Sequence, residues 1–172
     1  MIRKLISALV LGSIVGTLAI TVAAAGDGSL PADWRAVRAA VARYHSLDQA
    51  QRDGYGAAGE RCVSSPAGTM GVHAINWALF NDPAIDPLQP EGLLYAPNQH
   101  GELKLVGVEY FKPDADGNLA TAGDRPSLFG TAFNGPMPGH SATMPVHYDL
   151  HVWVAERNPS GLFALFNPAI NC

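Results

Sequence analysis

The sequence predicts an α+β fold, an antiparallel β-sheet or barrel with two N-terminal helices packed against it. Three observations carry that expectation. Apolar residues recur at helical spacing from Trp34 to Tyr44, they alternate strictly from Val146 to Val154, and elsewhere short apolar runs are separated by Gly, Pro, Asn and Asp turn signals. Successive hairpins of that kind build an antiparallel sheet.

From Ala32 to Tyr44 the stripe Trp34, Val37, Val41 and Tyr44 marks an amphipathic helix, with Arg35, Arg38 and Arg43 off it. Pro31 is tolerated at the start, and Asp33 favours the positive end of the helix dipole. Ser46-Leu-Asp-Gln49 has the form of a capping box opening a second, short helix that Gly54 stops. The Gly- and Pro-rich stretch 54–97 reads as irregular backbone around the sheet, apart from residues 69–76, whose length suits a strand with His73 and Ile75 on one face. Asp82 and Asp86, each before a proline, are expected to cap turns. Residues 92–96 and 102–111 read as a hairpin with His100 in its turn. In the second of these strands Leu103, Leu105, Gly107, Glu109 and Phe111 share a face opposite Val106, Val108 and Tyr110.

Asp114-Ala-Asp116-Gly117-Asn118 is superficially like a calcium loop, but Leu119 and Arg125 occupy the positions that need Gly and Glu, so the stretch reads as a hairpin turn. A short strand over 127–133, a loop over 135–140, the strand of 145–156 and a last short strand over 162–166 complete the expected order.

The chain opens with Arg3 and Lys4 and then runs from Leu5 to Ala25 without a charge or a proline, ending in three alanines. That is the pattern of a secretory signal peptide, residues 1–25, leaving 26–172 as a single α+β domain; an uncleaved membrane anchor is the competing reading. No cysteine lies near the boundary, which excludes a lipid-anchored cysteine. After cleavage the chain would be secreted or periplasmic, with no membrane association. It would keep 9 of its 11 Lys and Arg against 15 Asp and Glu, a net charge of −6, and with no basic stripe this excludes a nucleic-acid binder. In an oxidising compartment Cys62 and Cys172 are expected to form one disulfide; without Cys-x-x-Cys spacing a thiolate metal site is the weaker alternative.

The strand around residue 150 points to chemistry. Its apolar face is Val146, Tyr148, Leu150, Val152 and Val154, while His147, Asp149, His151 and Trp153 line the other, where a solvated strand would carry Thr, Lys, Glu and Ser. Glu109 is likewise flanked by apolar neighbours, and a buried carboxylate needs a cation or a donor. His73, Glu109, His147 and His151 are therefore candidate ligands for a divalent metal such as zinc or copper, with Asp149, Trp153 and Tyr110 as ligand or supporting contacts. Spacing limits the set. Residues four apart on a straight strand stand about 13 Å apart, so His147 and His151 meet on one ion only if the strand is bent or bulged. His147, Asp149 and a distant His73 have the composition of a two-His, one-carboxylate iron site, though not its usual chain order. A metal-free polar network of the same residues is the competing reading. No Gly-x-Ser-x-Gly elbow offers a nucleophile.

Asp53-Gly-Tyr55, Met70-Gly-Val-His73, the run from Leu105 to Tyr110, the run from His147 to Trp153, and Asn167-Pro168 before a terminal Cys together resemble a group of small exported bacterial proteins of unassigned function. The resemblance implies export and marks His73, Glu109, His147 and His151 again, but supplies no activity. The expectation is a protein that binds a divalent metal or small ligand in a histidine-lined cavity. The alternatives are a metal-dependent enzyme, hydrolase or oxygenase-like, and a non-catalytic envelope protein with a structural polar core.

Overall fold

In the computed structural model of the protein, residues 30–57 and 62–172 are described, so the expected signal peptide lies outside the described residues. Helix α1 (Ala32–Val41) tightens into a 3₁₀ turn (Ala42–Tyr44) and is followed by α2 (Leu47–Arg52). Then come β1 (Gly56–Ala57), β2 (Val63–Ser65), β3 (Gly68–Ile75), α3 (Trp77–Phe80), β4 (Gly92–Pro97) and β5 (Leu103–Pro113). Four strands complete the chain: β6 (Ser127–Leu128), β7 (Thr131–Ala132), β8 (Asn134–Met137) and β9 (His147–Val152).

Seven strands form one curled antiparallel sheet in the order β1, β3, β4, β5, β9, β8, with β2 also on β3. Its two faces differ. One carries Leu93, Tyr95, Val108, Tyr110, Tyr148, Leu150 and Val152, all buried in one cluster with Trp34, Val37, Val41 and Tyr44. Tyrosines suit this cluster because each apolar ring ends in a donor that a nearby carbonyl can accept. Tyr95 donates to the Tyr44 carbonyl at 2.8 Å, Tyr55 to that of Pro90 at 2.8 Å, and Tyr110 to that of Pro87 at 2.6 Å. The opposite face bears two smaller apolar clusters, Leu94, Ala96, Val106, Trp153 and Ile170 at one end and Ile75, Phe80, Phe111 and Met144 at the other. On the strands between these clusters lie His73, Glu109, Asp149 and His151.

Two glycines keep this face closely packed. Gly71 of β3 has φ +97°, and a Cβ there would stand 2.5 Å from the Tyr95 carbonyl oxygen, which is backbone and cannot yield. Gly71→Ala is expected to destabilise the protein by about 3 kcal/mol, strain and overlap combined; a urea midpoint equal to that of the parent protein would refute this. Gly92 of β4 faces Glu109 across the ladder, and a Cβ there would meet the Glu109 Cβ at 3.2 Å.

Several local expectations are corrected. Ser46 makes no side-chain cap, and the Gln49 Oε1 that would complete the box accepts instead from Arg52 at 2.7 Å. Asn76 caps α3, which is too short to leave a periodic signal, by accepting from the Ala78 and Leu79 amides. Residues 127–133 are a two-strand hairpin turned at Phe129 (φ 47°) and Gly130 (φ 78°), not one strand. The 114–118 stretch is no hairpin: β5 pairs with β4 and β9, and the loop is held by Asp114, Asp116 and Asn118 side chains accepting from backbone amides two residues on. Residues 135–137, in the stretch expected as loop, belong to β8, which pairs with β9 despite Pro136. Residues 162–166 form no strand, since the carbonyls of Ala164 and Phe166 accept from the side chains of Trp153 and Asn158. The caps at Asp82 and Asp86 and the exposed turn at His100 are as expected.

The expected disulfide joins Cys62 to Cys172, with Cα atoms 5.6 Å apart. It locks a C-terminal segment that is also paired to β3 through two backbone hydrogen bonds between Thr69 and Asn167, at 3.1 and 2.9 Å.

Candidate metal centre

Three strands deliver the centre. Antiparallel register sets Glu109 of β5 directly beside His151 of β9. His73 comes from β3, one strand beyond β4, and Gly92 of β4, opposite Glu109, places no side chain between them. One ligand atom from each of His73, Glu109 and His151 lies within 4.8 Å of the others. The Glu109 Oε2 stands 3.3 Å from His73 Nε2, and its Oε1 stands 3.2 Å from His151 Nε2. In a tetrahedral zinc site with ligand bonds of 2.0–2.1 Å, neighbouring ligand atoms stand about 3.4 Å apart. The two separations, each to a different Glu109 oxygen, are close to that length, so the trio could hold one cation. The two imidazoles meet edge to face, 5.9 Å between centroids.

The protonation states suit that role. Burial lowers the His73 pKa to about 4, with a smaller contribution from the charge of His140. Burial holds His151 well below the ordinary imidazole value, helped by His73 and His140. At neutral pH both rings are uncharged, so their short contacts with Glu109 are not ion pairs. Neutral imidazole with a free lone pair is the form that binds a metal.

The other expected site residues divide. Asp149 lies beside the trio: its Oδ2 is 3.7 Å from His151 Nδ1, and its Oδ1 accepts from Asn134 Nδ2 at 3.2 Å. Burial raises its pKa, and the Asn134 contact opposes this. At 3.7 Å it is a neighbour of the His151 ring and not its hydrogen-bond partner. His147 is not part of the trio. The strand is not folded back on itself, so the four-residue separation of about 13 Å stands; His147 packs instead against Phe111 and His140 at 5.6 and 5.0 Å between ring centroids. Trp153 is core, its Nε1 donating to the Ala164 carbonyl at 2.6 Å. Tyr110 is on the opposite face with its hydroxyl spent on Pro87, as the alternation of β5 requires. His140 was not among the expected residues, since a lone histidine in a Gly-Pro loop has no periodicity to mark it.

No protein-family model, curated protein or solved structure matches the chain. The trio is buried and lines none of the four principal surface clefts, the roomiest of which, about 870 Å³, lies beside Pro97, His100, Lys104 and Asn171.

A second buried carboxyl lies away from the centre. Glu91 is 2% exposed, and burial pushes its pKa up to about 7, against the hydrogen bond it accepts from the Phe111 amide at 3.1 Å. Between the ordinary value of 4.5 and about 7 the folded chain keeps a proton that the unfolded chain releases. Its contribution to stability therefore falls as pH rises through that window. Glu91→Gln is expected to gain about 3 kcal/mol relative to the parent protein between pH 4.5 and 7.5. Urea unfolding at both pH values checks it; a difference between the two proteins that ignores pH speaks against the assignment.

Proposed function

We propose that this is an exported metal-binding protein that holds one divalent cation, zinc or copper, on His73, Glu109 and His151. The supporting observation is the convergence of these three ligand atoms from three strands within 4.8 Å. Imidazole and carboxylate suit zinc and copper, which bind nitrogen and oxygen together, better than calcium or magnesium, which take oxygen alone. Export belongs to the same proposal: the Cys62–Cys172 disulfide fits an oxidising compartment, and membership in the exported bacterial group would account for the shared motifs. In this reading α1 and α2 cover the apolar face of the sheet, leaving the polar face to the metal.

Metal analysis of untagged protein tests the proposal. One equivalent per chain, lost in the His73→Ala/His151→Ala double variant, is expected. Metal-free protein with melting unchanged on chelation would leave a structural polar core as the explanation.

A hydrolytic metal centre is the second reading, favoured by the ligand count, since two histidines and a glutamate leave a fourth position open. In cobalt-substituted protein an open position gives a visible spectrum that azide changes; a spectrum indifferent to azide makes the metal structural.

A further inference from the structure

His147 is completely buried and stands apart from the metal trio, yet it is prepared as a ligand. Its Nδ1 lies 3.0 Å from the Pro145 carbonyl oxygen. A carbonyl can only accept, so Nδ1 carries the proton and Nε2 keeps a bare lone pair. That Nε2 is buried and makes no hydrogen bond. A histidine that donates one nitrogen to a backbone carbonyl and leaves the other free is oriented as metal-binding histidines are. Against its ring, edge to face at 5.0 Å between centroids, sits His140, which is exposed.

From that pair inward the ligand-type groups are evenly spaced. His147, Asp149 and His151 alternate on one face of β9, about 6.6 Å from one to the next. The Asp149 Oδ2 is already 3.7 Å from His151 Nδ1, and His151 Nε2 is 3.2 Å from Glu109. A buried centre needs such a path, because a hydrated cation does not cross packed side chains without replacing the water it gives up.

We propose that His140 and His147 form the receiving site for the metal, from which a borderline divalent cation passes by way of Asp149 to His73, Glu109 and His151. This rests on the metal-binding reading above. The pair is a point of passage, so removing it slows loading and leaves the final occupancy of the buried site unchanged.

The test uses cobalt(II) in fixed excess over metal-free protein, followed by stopped flow through the visible band of the buried site. His140→Ala is the informative variant because the residue is exposed and its loss leaves the core intact. The expected result is the same final amplitude as the parent protein, reached at least tenfold more slowly. An unchanged rate overturns the proposal. If the parent band is abolished by Glu109→Gln while His140→Ala loads at the parent rate, only the route fails. If the parent protein develops no band, the route and the metal-binding reading fall together.

Discussion

Stripping the metal-loaded protein with a strong chelator is expected to lower its melting temperature by on the order of 10 °C. A ligand that binds only the folded state stabilises it by about 4 kcal/mol when present at a thousand times its dissociation constant. In a domain of this size each kcal/mol shifts the midpoint by about 3 °C. The unfolded chain cannot imitate the site, because its ligands are spread from residue 73 to residue 151 and are assembled only by the pairing of β3, β4, β5 and β9. The shift should vanish in the His73→Ala/His151→Ala double variant. Calorimetry of the parent protein with and without chelator decides it; superimposable traces would count against a bound metal.

Reduction of the disulfide, or Cys172→Ser, is expected to cost as much. Cys62 and Cys172 are 110 residues apart, and closing a loop of that length removes roughly 4 to 5 kcal/mol of chain entropy from the unfolded state. The folded state should change little at first, because the Thr69–Asn167 pairing and Ile170, packed with Leu94 and Trp153, also hold the segment. Most of the loss should therefore appear in the unfolding equilibrium rather than in the native spectrum. Urea titration of Cys172→Ser measures it, and a change below 1 kcal/mol would mean that the reduced chain keeps its ends together by other means.

How much of this could be read from the sequence depends on the range of the interactions involved. The alternation of β9 is local, so the residues of its polar face, His147, Asp149 and His151, were legible, as was the burial of Glu109. The pairing of Glu109 with His151 was not, because register is set by contacts between strands 42 residues apart. The strand spacing that made a joint site for His147 and His151 doubtful applies as stated, and the structure leaves His147 outside the trio. Trp153 and Tyr110 looked like site residues by composition, but their polar atoms go to the carbonyls of Ala164 and Pro87. Misread elements share a cause. In β8, residues 162–166 and α3, Gly, Pro and Asn dominate or flank a few residues, and tertiary hydrogen bonds decide the outcome.

Anomalous diffraction at the zinc absorption edge from crystals of untagged protein locates the metal itself. A single strong peak is expected about 2.0–2.1 Å from a nitrogen of His73, a nitrogen of His151 and an oxygen of Glu109. A map with no peak there, from zinc-saturated protein that diffracts well, would contradict the proposed metal site.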